Sequence, residues 1–252
     1  MKTLLKLTLC VLISSPAFAQ WARVPPTPIP VGPDGKPNLS APAPRLPDGK
    51  PDLSGIWTPP GGYIRNLAKD LKEEVPFQAW AKKVYDERVT GSTWKEDPDA
   101  NCLPQGVPKV LVAPAPWRIV QTKDIIFFVH EAFNLWWQVF LDGRQFVPHT
   151  DIAPTWHGYS TGRWEGDTLV IDSRGFNGRV WLDQLGKVST EELHVNMRLL
   201  RKDFGHMNIQ ITIDDPKAYT KPWTVTVEPT LLPNTELMEF ICLENEKDTR
   251  HK

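Results

Sequence analysis

Cysteine is scarce in this sequence, 3 in 252 residues, and no two have the C-x-x-C spacing of a zinc or redox site. Charge of either sign is not in excess: 29 Lys and Arg against 30 Asp and Glu leave a formal net charge of −1. The basic residues are scattered and form no stripe that would follow a phosphate backbone, which argues against nucleic acid as a partner. No apolar run reaches the length of a membrane span. Long helical patterning is also nearly missing.

The apolar run at the start is short. MKTLLKLTLCVLISSPAFAQ has two early lysines, a short hydrophobic stretch and Ala17-Phe18-Ala19 before Gln20, which predicts a secretory signal peptide over residues 1–19. The chain is therefore expected to be exported, to the periplasm or beyond. Cys10 follows Leu9 where a lipobox needs a small residue, so lipid anchoring is not expected. Removal of the signal leaves Cys102 and Cys242 in an oxidising compartment, where they are expected to bond; two buried free thiols are the alternative.

Tryptophan and proline are plentiful, at 11 and 25 residues. Prolines at this density shorten helices, and many indoles suit a packed barrel or a cavity lined with flat rings. Residues 20–51 have almost no apolar periodicity and read as a Pro-rich extended arm, either mobile or draped over the domain. Within it Pro33-Asp34-Gly35-Lys36-Pro37-Asn38-Leu39-Ser40 nearly recurs as Pro47-Asp48-Gly49-Lys50-Pro51-Asp52-Leu53-Ser54. Two copies are too few for a solenoid. Residues 52–252 then form one β-rich domain.

That domain opens with a strand at Leu53–Thr58 and has one helical insertion near residues 66–90, where Leu67, Leu71, Trp80 and Val84 recur at helical intervals. Pro76 must break that helix or open a second one. After Trp117 the pattern is strands. Arg118–Thr122 pairs with Ile125–Glu131 across Lys123-Asp124, and Leu135–Leu141 ends at Asp142-Gly143. Arg163-Trp164 and Thr168–Ile171 flank Glu165-Gly166-Asp167. Glu192–Arg201 and Met207–Ile213 alternate cleanly, and Trp223–Val227 and Glu236–Cys242 complete about ten strands. Short connections imply antiparallel neighbours. The expected fold is mainly β: an antiparallel meander closing into a lipocalin-like or calycin-like β-barrel, with a two-sheet β-sandwich as the alternative.

Gly158-Tyr159-Ser160-Thr161-Gly162 fits the G-x-S-x-G pattern of serine hydrolases. A nucleophile elbow needs a strand turning into a helix, whereas this segment leads to another turn and strand, so a hairpin is the better reading. His149, Asp151 and His157 could ligate a transition metal, but surface histidines explain them as well. No metal or organic cofactor is assigned. His130 falls on the face of Ile126 and Phe128, as a core histidine would. Of Trp136-Trp137, one ring must face in and the other out, where the helix or a partner would have to cover it. Asp214-Asp215 before Pro216 reads as a turn, and residues 244–248 as a solvated tail.

The strings DGKPDLSGIW, CLPQGVPK, RIVQTKD, VFLDGR, PTWHGYSTGRWEGDTLVID, GFNGRVWLD, RKDFGHMNIQITIDDPKAYTKPW and ELMEFICLENEKD resemble, in the same order, a family of secreted bacterial proteins abundant in soil Acidobacteria and some Proteobacteria. The resemblance covers Asp48–Asp248. It implies export, places Cys102 and Cys242 in family blocks, and brings no activity, cofactor or site residue with it. Many relatives have His where this chain has Tyr159.

Three functions are compatible with these features. The first is an extracytoplasmic binding protein holding a small apolar or aromatic molecule in a barrel cavity, lined by His130, Trp136, Tyr159, Arg163, Trp164, His194 and Arg198. The second is a cofactor-free hydrolase, isomerase or cyclase using His130 or His194 as acid or base. The third is contact with another envelope protein through the arm and exposed tryptophans.

Overall fold

The computed structural model describes residues 28–146, 153–242 and 244. The expected signal segment and the beginning of the arm lie outside the described residues, as do His149 and Asp151. Ten strands form one sheet: β1 Gly55–Thr58, β2 Trp117–Gln121, β3 Ile125–His130, β4 Trp136–Phe140, β5 Tyr159–Glu165, β6 Thr168–Arg174, β7 His194–Arg201, β8 Met207–Asp214, β9 Trp223–Val227 and β10 Thr230–Leu231. Their order is β10-β1-β2-β3-β4-β5-β6-β7-β8-β9, and the sheet curls into a half-barrel of the calycin kind. With all ten strands of the described residues in a single sheet, the sandwich alternative is excluded.

Alternation along the strands decides which side is inside. In β7 the side chains of Val195, Met197, Leu199 and Arg201 are buried while His194, Asn196 and Arg198 face out; in β8 Met207, Ile209, Ile211 and Ile213 are buried. Trp57, Trp117, Phe128 and Trp137 fill the inner side of the other half, with Phe128 and Trp137 stacked at 4.5 Å between ring centroids. Burial of each such aliphatic or phenyl side chain contributes about 1.5–3 kcal/mol. The concavity is thus packed with side chains.

One pairing departs from the expected meander. β4 and β5 run parallel, joined only at Val139↔Ser160 and Phe140↔Thr161. Parallel neighbours need a crossover of about a dozen residues or more, and residues 141–158 supply it. At the other end β10 pairs with β1 at Trp57↔Leu231, while Thr230 bridges His206 just before β8. Two residues between Pro229 and Leu232 thus join the two flanks of the curl, too short a strand for periodicity to find. The strand expected at Glu236–Cys242 is instead irregular chain. Its backbone is held by side chains: the Met238 amide donates to Glu131 Oε2 at 2.8 Å, and the Asn134 amide group bonds the backbone of Phe240 in both directions. The Cys102–Cys242 disulfide, expected from export and parity, pins its end.

The helix is shorter than its pattern. Only Ala79–Arg88, α1, is helical, because Pro76 forbids continuation upstream and residues 62–71 form tight turns (Asn66 N to Gly62 O at 3.0 Å, Lys69 N to Asn66 O at 3.1 Å). Leu67 is nevertheless fully buried, its amide bonded to the buried Asp183 carboxylate at 2.8 Å. α1 lies beside the β8–β9 connection, with Trp80 Nε1 donating to Lys217 O at 2.7 Å.

Over residues 28–51 the arm is draped on the domain. Each copy of its repeat makes the same small hairpin: Gly32 N bonds Lys36 O and Leu46 N bonds Lys50 O, both at 2.8 Å. Gly35 (φ 76) and Gly49 (φ 82) take the left-handed position of a three-residue loop. The first copy docks on the Phe204-Gly205 turn, whose amides bond Ala41 O and Leu39 O at 2.7 Å. The second is clamped by buried Arg201, which donates to Asp52 O at 2.5 Å and also to Phe204 O. Burial lowers the pKa of that guanidinium to about 10.

Candidate functional site

The short β4–β5 pairing leaves a wedge. Before Tyr159 the chain swings away from β4, because Thr155 bridges Phe176 on the β6 side, its amide bonding Gly175 O at 3.0 Å. Gly158 makes the bend at φ +68, where a Cβ would lie 2.6 Å from Arg174 O, so only glycine fits. Trp136, Trp137 and Gln138 consequently face a cavity of about 480 Å³ instead of a neighbouring strand. That is the size range of small-molecule sites.

Flat rings dominate the walls. Trp136, Trp137, Phe140, Phe146 and Tyr159 line the cavity, with Phe140 and Tyr159 stacked at 5.3 Å. Pro104, Asn134 and Leu135 close another side. That side is anchored twice. Cys102 ties it to the irregular strap 236–242 at Cys242, and buried Lys109 bonds Asp97 at 2.8 Å and Asp99 at 2.9 Å, fixing the loop that carries Pro104.

Ser160 is no nucleophile. It lies inside β5, buried, accepting the Trp137 indole N–H at 2.8 Å and sharing a hydrogen bond with Ser173 Oγ at 2.7 Å. The strand runs on into the β5–β6 hairpin, with no helix and no imidazole bonded to the hydroxyl.

Two histidines meet the site from behind. His130 ends β3 on the buried face, its amide bonded to Leu135 O at 2.7 Å, and neither ring nitrogen has a hydrogen-bond partner; His157 lines the cavity, and its Nε2 is likewise buried and unpaired. Such orphaned groups cost about 1–3 kcal/mol each. Burial pushes the His130 pKa down to about 3, with His157 acting in the same direction, and lowers that of His157 to about 4. Both are therefore neutral at pH 7.

The other expected lining residues are dispersed. Trp136 and Tyr159 are in the wall, and His130 is beneath it. Trp136 is 60% exposed and Trp137 2%, the in-and-out pair that alternation requires, although α1 is elsewhere and does not cover the outer ring. Trp164 packs at the rim of the core, near Lys50. Arg163 and Arg198 are on the outer face, both bonded to Glu165. His194 is there too, with Nε2 2.7 Å from Asp172 Oδ2. The outer histidine has a carboxylate and the inner one has none. An acid–base pair inside the cavity is therefore absent among the described residues.

No group of three or more His, Cys, Asp or Glu able to hold a metal occurs among the described residues. Of the metal alternative only His157 can be placed. Trp137, Phe140, Leu135 and Pro104 were not expected in the wall. Their hydrophobicity gave no sign of it, since the cavity depends on where β4 and β5 separate.

No protein-family model, curated protein or solved structure matches the chain.

Proposed function

We propose that this is an exported binding protein that takes a small, largely apolar or aromatic molecule into the cavity between β4 and β5. One observation carries the reading: five aromatic side chains converge on a cavity of about 480 Å³ where the sheet's own ladder stops. Export is supported by the signal-like N-terminus, by the disulfide, and by the resemblance to secreted bacterial proteins. Among the described residues no helix is long and apolar enough to cross a membrane.

Equilibrium dialysis with 2-methylnaphthalene tests the proposal. Saturable uptake of one molecule per chain is expected, weakened about tenfold by Trp136→Ala through loss of a stacking wall. Trp136 is largely exposed, so this variant should fold. Absence of saturable uptake by the unmodified protein would remove the reading.

A further inference from the structure

Resting on that reading, we infer that the bound molecule is uncharged and carries a hydroxyl group on a flat apolar body, and that His157 recognises the hydroxyl.

The argument begins with the charges. No Asp, Glu, Lys or Arg lines the cavity among the described residues. Arg144 approaches the rim through Tyr159, but its guanidinium is bound to Asp142, with Nη2 2.5 Å from Oδ2. An ionised ligand would lose its hydration without gaining a counter-charge, which is costly. The cavity is built for a neutral molecule.

Next, the polar groups of the wall can be accounted for one by one. Ser160 Oγ receives the Trp137 N–H and is bonded to Ser173. The Asn134 amide is used at both ends by Phe240. Thr155 Oγ1 donates to Gly158 O at 3.2 Å, and Tyr159 Oη accepts from Arg144 at 3.3 Å. Among the described residues His157, Gln138 and the Trp136 indole remain without a side-chain hydrogen bond; Gln138 and Trp136 share the outer face of β4, which also meets water, so His157 is the enclosed one of the three. His157 is thus the polar group free to select among apolar guests.

The protonation state of His157 then specifies the partner. Held neutral by burial, with its pKa lowered to about 4, the imidazole has one donor and one acceptor nitrogen; Nε2 is shut off from the cavity, so Nδ1 meets the guest, as donor or acceptor according to the tautomer. A hydroxyl also offers both, so either tautomer can bond it. A carboxylate is acceptor-only and charged, and a hydrocarbon leaves Nδ1 unpaired.

Three probes of one shape separate these cases by equilibrium dialysis at pH 7: 2-naphthol, 2-methylnaphthalene and 2-naphthoate. The inference expects 2-naphthol to bind roughly tenfold tighter than either of the others, the scale of one well-made hydrogen bond. His157→Phe should bring 2-naphthol to the level of 2-methylnaphthalene. In the unmodified protein, the His157 ring signals in NMR should shift with 2-naphthol and not with 2-methylnaphthalene, a readout that holds even if the variant folds poorly. Equal binding of 2-naphthol and 2-methylnaphthalene, tightest binding of 2-naphthoate, or His157 signals unmoved by 2-naphthol would each overturn the inference while leaving cavity binding intact. No binding of any probe would overturn both.

Discussion

Strands β6 to β9 and the β4–β5 seam draw on the same residue types and differ in completeness. β7 and β8 are paired along all 8 residues of each, from His194↔Asp214 to Arg201↔Met207. A tight turn joins them, and every second side chain is buried. β4 and β5 share two paired positions, are joined by a crossover, and leave three buried imidazole nitrogens without partners nearby. A strand pair closed by a short turn zips to its ends, because register and twist are set locally. A pair closed by a crossover stops where the returning chain finds other bonds, here at Thr155 and Gly158. Space for a guest arises from that early stop.

The largest expected effect sharpens this contrast from the seam side. Replacing both cysteines (Cys102→Ser with Cys242→Ser) opens a loop closed over a sequence separation of 140 and should cost about 4–5 kcal/mol on the chain-entropy account. Chemical denaturation measures the loss. Hydrogen exchange should accelerate first around Glu131–Trp137, where the strap is bonded, and last in β7 and β8; uniform acceleration would erase the distinction between the regions.

A smaller effect comes from the complete side. Met197→Ala in β7 removes a fully buried side chain from the packed core and should lower stability by about 3 kcal/mol. Uptake of 2-methylnaphthalene should be unchanged under conditions where the variant is folded. Loss of uptake would mean that the two regions are coupled.

The smallest effect is a pH slope set by the seam histidines. Below the ordinary value of 6.5, the unfolded chain binds a proton on each imidazole that the folded chain refuses until about pH 4 at His157 and about pH 3 at His130. Their contribution to stability is therefore complete above pH 6.5 and declines as pH falls, by about 1.4 kcal/mol per pH unit for each histidine. His130→Phe should reduce the slope of melting temperature between pH 6.5 and 4.5. An unaltered slope would show that His130 takes up its proton while folded.

The sequence carried the complete region well and the seam poorly, for a physical reason. Alternation in 194–201 and 207–213 reports which side chains are buried, and short turns name each strand's neighbour. The Trp136-Trp137 pair was legible from strand geometry, and the Cys102–Cys242 bond from expected export and cysteine parity. Alternation is silent on a strand whose neighbour arrives by crossover, so the β4–β5 wedge was hidden. With it went the placement of Phe140 and Leu135, and the difference between His157 at the cavity and His194 on the outer face. The helix at 66–78 failed for another reason: Leu67 and Leu71 keep a helical interval, but turn bonds around Asn66 and the Asp183 carboxylate use the same backbone differently.

β10 has a consequence for the order of assembly. One flank of β1 is satisfied by β2, but the other has no partner until Thr230 and Leu231 have left the ribosome, after every other strand. A nascent chain must therefore carry an open β edge through almost its whole emergence, and such edges recruit foreign strands. The brevity of β1, only 4 residues, limits that exposure. Final closure then waits on a latch drawn from the far end of the sequence, which favours slow, late-committing folding over rapid local collapse.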